Sequence, residues 1–334
     1  MPLKFGIEFV PAEKTIDVAY YSKLAENVGF DHVWITDHFT NRSVFASLTQ
    51  VALYTNKISI GTGVTNYYHI NPTVIASSIA TIAEISGGRT ILGLGAGDKV
   101  TLGKLGIDWV KPLTGMRESI EIIRKLWNGD TVNYPGEVFK IPSAKLNFKV
   151  KYKPPIYMAA QGPKMTELAA EIADGILVNA SHPRDYEEAK RNLEIGMQQR
   201  KLSRRKFDIC AYTSFSIHNK PDKAVNAAKI VVAFIVAGSI PIILERHGIS
   251  VEQAKNIENA LKQNKFGDAI NMVTPEMIDA FCIAGTPEDC ASKVEELQKI
   301  GVSQLVCGSP LGPNIPDAIK LMGKTILPAF RAKW

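Results

Sequence analysis

Short apolar segments alternate with longer amphipathic segments along most of the chain. The first helical pattern, residues 17–28, places apolar side chains at helical spacing and ends at Gly29, a residue that commonly stops a helix. Such alternation predicts parallel strands joined by right-handed helical crossovers. The predicted strands are residues 4–9, 32–36, 58–64, 90–94, 155–159, 175–179, 207–217 and 304–307. The predicted helices are residues 17–28, 43–54, 72–86, 117–127, 164–173, 185–201, 287–300 and 315–330.

Eight strand–helix units fit the α/β class and, within it, a (β/α)8 TIM barrel. Strands seven and eight are separated by a surplus of roughly 60 residues, 224–281, with helical patterning throughout. A normal crossover needs only about 10 to 15 residues. We therefore predict one domain, 1–334, with a helical insertion at about 224–281 between strands seven and eight.

Charge and hydropathy exclude several classes of partner. The net charge of +6 could attract anionic ligands, but the basic residues are scattered, with the densest run at 204–206, so we expect no nucleic-acid binding. No apolar run approaches the roughly 20 residues that span a bilayer, and the N-terminus carries no signal-peptide pattern. We therefore expect a cytoplasmic protein without a membrane partner.

Cysteine spacing gives no sign of a metal site. The four cysteines show neither C-x-x-C spacing nor histidines at metal-finger distance. We therefore expect no metal, and reduced thiols of the kind found in cytosolic proteins. The cysteines are Cys210, Cys282, Cys290 and Cys307.

The glycine-rich end of the fourth predicted strand, residues 87–98, at first suggests a dinucleotide fingerprint. The pattern G-x-G-x-x-G fails because Asp98 stands where its third glycine should be. At least three strands also precede it, whereas a Rossmann unit would begin with this element. A strand that ends in small residues and one carboxylate fits a barrel, in which many strands each deliver one or two groups to a shared rim.

Polar residues concentrate where the predicted strands end, which is where barrel enzymes carry their chemistry. Glu8 lies in an apolar strand that should exclude a carboxylate unless it is paired or used. Asp37 and His38 follow the second strand. Structural alternatives stay open: Asp37 and Asp98 could cap helices, His38 could be a satisfied core histidine, and Gly63 could be a turn glycine.

The turn that opens the fifth predicted helix, residues 161–164, offers free backbone N–H groups that suit a phosphate, although ordinary capping explains it nearly as well. Small residues at several strand ends leave room for a broad planar ring across the barrel mouth. They are Gly61, Gly63, Gly93, Gly95, Gly97, Ala159, Ala160 and Gly162. These residues alone predict a barrel enzyme with an anionic, aromatic ligand.

Four motifs make the prediction of a barrel enzyme more specific. They are residues 25–34 (AENVGFDHVW), 36–38 (TDH), 60–64 (IGTGV) and 86–97 (SGGRTILGLGAG). Over nearly its whole length the chain resembles the bacterial-luciferase-like superfamily of flavin and deazaflavin barrels. Residues 4–9 (KFGIEF), 63–66 (GVTN) and 95–98 (GAGD) look most like the methylenetetrahydromethanopterin reductases of methanogenic archaea. These use the 5-deazaflavin coenzyme F420.

The resemblance implies hydride transfer from reduced F420 to the methylene carbon of a tetrahydromethanopterin substrate, in the one-carbon metabolism of methanogenesis. It implies a non-prolyl cis peptide at Gly63-Val64, in a bulge behind the deazaflavin ring. Glu8 would be the general acid, assisted by Asp98. The cofactor would be held by Asp37, His38, Thr62, Gly63, Val64, Asn66, Gly97, Ala160, Gln161, Gly162, Lys164 and Asn179.

Other functions stay open. One is a deazaflavin dehydrogenase for a secondary alcohol or sugar phosphate, in which His38 would act as base. Others are an FMN monooxygenase and a flavin-binding barrel without catalysis, which the intact carboxylates argue against. The resemblance implies a homodimer or homotetramer formed through helices beside the early strands, and the apolar positions of residues 72–86 suit this role. Tyr67, Tyr68 and His69 are bulkier than expected after the bulge.

Overall fold

The computed structural model describes residues 2–200 and 207–331. The basic run 204–206 and the last residue of the helix predicted at 185–201 lie outside the described residues. The strands are β1 Lys4–Phe9, β2 His32–Ile35, β3 Ser59–Thr62, β4 Thr65–Asn66, β5 Thr90–Gly95, β6 Val132–Pro135, β7 Lys140–Ala144, β8 Ile156–Ala159, β9 Gly175–Asn179, β10 Asp208–Ile217, β11 Cys282–Gly285 and β12 Gln304–Leu311.

Fourteen helices are described, most of them between consecutive strands. They are α1 Thr15–Val28, α2 Val44–Tyr54, α3 Pro72–Ile85, α4 Lys99–Lys104, α5 Pro112–Asn128, α6 Pro163–Ile172, α7 Pro183–Gln199, α8 Pro221–Gly238, α9 Pro241–Arg246, α10 Val251–Lys262, α11 Phe266–Asn271, α12 Pro275–Phe281, α13 Pro287–Lys299 and α14 Ile315–Arg331. No helix within the described residues is long and apolar enough to cross a membrane.

Eight parallel strands close into a barrel. Around the ring they follow the order β1, β2, β3, β5, β8, β9, β10 and β12, and β12 pairs again with β1. Each of the eight predicted strands overlaps one strand of this ring. The predicted TIM barrel is therefore confirmed.

Between β10 and β11 the chain carries five helices, α8 to α12, and β11 itself is a strand that the sequence pattern did not predict. That strand, β11, runs parallel to the second half of β10, with Ser214 opposite Cys282 and Ile217 opposite Gly285. The helices enclose an apolar cluster of their own, which includes Val232, Ile257 and Phe281. Three further features were not predicted: the short strand β4, the antiparallel hairpin of β6 and β7, and the short helix α4.

Local signals explain where helices begin and end. Asn71 caps α3 by accepting from the backbone N–H of Thr73 at 2.9 Å, and Pro72 occupies its first turn. Gly29 ends α1 as predicted, with φ of 104°, a left-handed conformation that glycine adopts at low cost. The predicted start of α5 at residue 117 was late. The helix begins at Pro112, because proline at the first helical position is itself a start signal.

The barrel interior is filled by side chains, so it is a core rather than a channel. Trp34 is fully buried there and donates from Nε1 to Oε1 of Gln304 at 3.0 Å. Gly6 and Gly61 make room for the indole, since a β-carbon on Gly61 would lie 2.8 Å from the ring. Because side chains fill the interior, a ligand is expected at the carboxyl ends of the strands, where TIM-barrel enzymes carry their sites.

Candidate active site

Glu8 on β1 points its carboxyl group into the mouth of the barrel, half-buried between β10 and β12. The backbone N–H of Ser309 donates to its Oε2 at 3.2 Å, and the hydroxyl of Tyr212 lies beside the carboxyl group. Burial raises the pKa of Glu8 to about 7, because desolvation outweighs the effect of these two donors, which favour the carboxylate. Near neutral pH this group can therefore both give and take a proton.

A cavity of about 170 Å³ opens beside Glu8, between the end of β1, helix α1 and the start of α14. Its walls are largely apolar and include Phe9, Tyr21, Pro310 and Leu311. A larger cavity of about 500 Å³ lies between α8, α12 and α13 and contains none of the predicted site residues. Of these two cavities, the smaller one is therefore the one that contains a predicted site residue.

The bulge between β3 and β4 contains a cis peptide bond at Gly63-Val64, which confirms the feature implied by the resemblance. The Gly63 carbonyl accepts a hydrogen bond from the hydroxyl of Tyr212 at 3.1 Å. A β-carbon at position 63 would collide with that hydroxyl, so glycine is required there. Thr62 connects the bulge to β5, because its Oγ1 donates a hydrogen bond to the Gly93 carbonyl at 2.6 Å.

The glycines of β5 serve a different purpose from the one expected. A β-carbon on Gly95 would lie 2.7 Å from Val64, and one on Gly93 would collide with the backbone of Thr62. These two glycines therefore leave the space that the bulge occupies, and Gly61 leaves the space for the indole of Trp34. They do not form the open surface that was expected to hold a planar ring. By contrast, no atom lies within 4 Å of a β-carbon placed on Gly162.

Asp37 and Asn66 come together near the ends of β2 and β4. Thr65 donates from Oγ1 to Oδ2 of Asp37 at 2.6 Å, and Nε2 of His69 lies 3.4 Å from the same oxygen. Oδ1 of Asn66 accepts from the backbone N–H of His69 at 3.2 Å, which fixes the loop that carries this histidine. His38 is placed differently: it is exposed, and its Nδ1 lies 2.6 Å from Oγ1 of Thr40.

The N-terminus of α6 presents a second part of the mouth. Gly162 is the N-cap residue and provides no side-chain cap, so backbone N–H groups of the first turn remain for an anion. Gln161 donates from Nε2 to the Asn179 carbonyl at 3.2 Å. A cavity of about 80 Å³ is lined by Ala160, Gln161 and Asn179 from the barrel and by Arg246 and Phe281 from the helices after β10. Lys164 is exposed and pairs with Glu167 at 2.9 Å.

Asp98 is the N-cap residue of α4, where its Oδ1 accepts from the backbone N–H of Thr101 at 2.7 Å. Gly97 precedes it with φ of 63°, which lets the chain turn into the helix. The bulky residues after the bulge also have structural partners. Tyr67 donates to the Pro112 carbonyl at 2.6 Å and Tyr68 donates to the Val110 carbonyl, so both tyrosines hold the loop before α5.

Three residues that contact predicted site residues were not among the predicted ones: Tyr212, Ser309 and His69, the last of which was noted only for its bulk. A usable signal existed for Tyr212, since a phenol inside an otherwise apolar barrel strand needs a hydrogen-bond partner when it is buried. Ser309 contributes a backbone N–H, for which side-chain identity gives no signal.

The family model described as luciferase-like monooxygenase matches residues 11–304. The chain belongs to this luciferase-like family. It is 54% identical to the 5,10-methylenetetrahydromethanopterin reductase of Archaeoglobus fulgidus, over 98% of this chain and 100% of that protein. It matches the solved structure of the coenzyme F420-dependent tetrahydromethanopterin reductase of Methanopyrus kandleri with a TM-score of 0.94 and 44% identity, over 99% of this chain and 100% of that one.

The chain also matches, at lower identity, an enzyme of the alternative class, a deazaflavin dehydrogenase that acts on a sugar phosphate. The F420-dependent glucose-6-phosphate dehydrogenase of Amycolatopsis mediterranei is 25% identical over 95% of each chain. The identity of 54% to the reductase, against 25% to this dehydrogenase, places the chain nearer to the reductases.

Proposed function

We propose that this protein is an F420-dependent 5,10-methylenetetrahydromethanopterin reductase. It shares 54% identity over nearly its full length with a reductase of that name. The observation that carries the proposal is a carboxylic acid, Glu8, whose pKa is raised to about 7 at the mouth of a luciferase-like barrel. A reaction that adds a hydride to carbon and a proton to nitrogen needs such a donor.

Two features of the mouth fit the cofactor. The uncapped N-terminus of α6, with open space at Gly162, suits the negatively charged tail. Asp37, Asn66 and the bulge at Gly63-Val64 line the part of the rim where the ring system would lie. When bound in its reduced form, the deazaflavin supplies the hydride. The remaining members of the proposed set at the rim are His38, Thr62, Gly97, Asp98, Ala160, Gln161, Lys164 and Asn179.

Glu8 performs the proton chemistry of the substrate. It protonates the aniline-type nitrogen of the methylene bridge, the bond between that nitrogen and the methylene carbon breaks, and the carbon becomes an iminium that accepts the hydride. The product carries a methyl group on the remaining nitrogen, and Glu8 is left as a carboxylate until it regains a proton. A pKa of about 7 allows both halves of this cycle near neutral pH.

The cavity beside Glu8 can take part of the substrate. Its volume of about 170 Å³ exceeds the roughly 150 Å³ of an apolar cavity that holds benzene, so one ring fits rather than the whole molecule. Its largely apolar walls reduce the solvation of the carboxyl group, and this desolvation favours the protonated form of Glu8.

An anaerobic assay tests the function directly. The purified protein, mixed with oxidised F420 and methyl-tetrahydromethanopterin, should bleach the deazaflavin absorbance. Glu8→Gln should slow this reaction by about 10²-fold or more while the Kd for F420 stays the same. Binding of FMN instead of F420, with oxygen consumption, would identify a monooxygenase and refute the proposal.

We also propose that the protein forms a homodimer or homotetramer through α2 and α3. Large apolar side chains are exposed on these neighbouring helices, notably Leu53, which is 70% exposed, and Val74 and Ile85 on α3. An apolar patch of this kind commonly marks an interface.

A further inference from the structure

Tyr212 on β10 lies between the two halves of the proposed site. Its hydroxyl donates to the Gly63 carbonyl at 3.1 Å, and the carboxyl group of Glu8 lies beside the same hydroxyl as a second hydrogen-bond acceptor. A phenol has one proton to donate and can also accept. Two acceptors therefore compete for this proton: the carbonyl of Gly63, behind the proposed cofactor ring, and the carboxyl group of Glu8, the proposed proton donor.

We propose that Tyr212 is a positioning residue that moves its single hydrogen bond between Gly63 and Glu8 as Glu8 gives up and regains its proton. The proposal rests on the function proposed above. It adds a residue on β10 that acts on the reaction only through Glu8.

With Glu8 neutral, each hydrogen bond has one consistent direction. Oε2 accepts from the backbone N–H of Ser309, so the acid proton belongs on the other oxygen of Glu8. Tyr212 then donates to the Gly63 carbonyl, and its own oxygen is free to accept from Glu8.

When Glu8 has passed its proton to the substrate, it is a carboxylate among apolar walls and needs donors. Rotation of the Tyr212 hydroxyl supplies one, and the Ser309 N–H supplies the other. Burial raises the pKa of Tyr212 well above its usual range, so the phenol stays protonated and exchanges a hydrogen bond rather than a proton. Charge-assisted hydrogen bonds are stronger than neutral ones, which favours this exchange.

The groups around Glu8 allow its titration to be interpreted. Tyr212 faces it from β10, the Ser309 backbone faces it from β12, and Glu13 and Tyr21 line the same cavity. The pKa of Glu8 responds first to burial and then to the hydrogen bonds from Ser309 and Tyr212. Removing the phenol hydroxyl should therefore change this pKa in a predictable direction.

The test is Tyr212→Phe, with two measurements. Carbon-13 NMR of protein labelled at glutamate carboxyl carbons, with Glu8→Gln used for assignment, should show the Glu8 pKa rising by about one pH unit. The variant loses the bond that the neutral acid donates to the phenol, but the bond from the phenol to the carboxylate, which is also lost, is charge-assisted and stronger. With F420 and the pterin substrate, the plateau kcat should fall about tenfold, KM should stay nearly constant, and the alkaline limb of the pH profile should move upward.

Tyr186→Phe is the matched control. Tyr186 is also buried and also donates to a backbone carbonyl, that of Ala180 at 2.7 Å, but it does not contact Glu8. Its loss should leave the Glu8 pKa and the pH profile unchanged. A Glu8 pKa that stays constant or falls in Tyr212→Phe overturns the proposal, as does an equal effect of both variants.

A second substitution keeps the test decisive if Tyr212→Phe does not fold. Replacement of Tyr212 by 3,5-difluorotyrosine retains the shape and makes the hydroxyl a stronger donor, so the Glu8 pKa should fall. An unchanged pKa in that variant refutes the role. Because the NMR titration needs no substrate, it separates this inference from the proposed reaction: shifted titrations in a protein that does not turn over F420 and pterin would refute only the latter.

Discussion

The carboxyl group of Glu8 lies directly against the backbone of Gly308. A β-carbon on Gly308 would collide with Oε2 of Glu8 and would lie 2.6 Å from the Thr213 carbonyl oxygen. The two residues are on adjacent strands of the ring, β1 and β12. The position of the proposed acid therefore depends on the absence of a side chain on its neighbour.

Gly308→Ala should displace the Glu8 carboxyl group and strain the contact between β10 and β12. We expect a loss of about 1–3 kcal/mol in the free energy of unfolding, because overpacking forces the backbone to shift, together with a large loss of turnover. Urea unfolding and the F420 assay measure the two effects. Gly238→Ala is the control, since no atom lies within 4 Å of a β-carbon there. Normal turnover in Gly308→Ala would show that the carboxyl position is not critical.

Stability should depend on pH through Glu8. Its pKa is 4.5 as an ordinary side chain and about 7 in the folded protein, so between these values the folded state holds more protons than the unfolded state. The free energy of unfolding should then fall as pH rises through this window, by up to about 3 kcal/mol. Glu8→Gln should remove that part of the dependence. Urea unfolding of both proteins at the two ends of the window tests this; parallel pH dependences would contradict it.

The barrel could be predicted from sequence because strand and helix periodicities alternate eight times, and each period reflects burial on one face. The strand β11 could not, because its four residues follow a helix directly and pair only with the far half of β10. Glu8 stood out as a carboxylate in an apolar strand. Its partner Tyr212 did not, since their contact depends on the closure of the barrel. The role of Gly95 was misread because the side chain that fills its space, Val64, belongs to another strand.

His38 offers a test between substrate classes. In the alcohol and sugar-phosphate branches the equivalent group would be the base, whereas here the histidine is exposed and contacts Thr40. His38→Ala should therefore keep kcat within about threefold of the parent protein, since general acid–base groups contribute about 10²-fold or more. Steady-state kinetics with F420 and the pterin provide the measurement. A loss as large as that of Glu8→Gln would move His38 into the proton chemistry.

The exposed face of α2 and α3 predicts a change of oligomeric state. Leu53→Glu places a charge in the proposed interface, where an unpaired carboxylate is costly to desolvate, and should shift the protein toward monomer. Analytical ultracentrifugation measures this shift. Ile242→Glu on α9 is the control, because Ile242 is also exposed but lies in the helices after β10. Equal sedimentation of both variants and the parent would exclude this face as the interface.

Asp98 requires a substitution that separates its two possible roles. Its side chain caps α4 through the Thr101 N–H, a contact that asparagine reproduces nearly as well. If its negative charge assists Glu8 or the cofactor, Asp98→Asn should lower kcat by about tenfold while the melting temperature stays constant. Asp98→Ala should additionally cost about 1 kcal/mol, because the cap is lost. Thermal unfolding and turnover of both variants decide the matter: if Asp98→Asn retains full turnover, the carboxylate that interrupts the glycine pattern is a helix cap and takes no part in the chemistry.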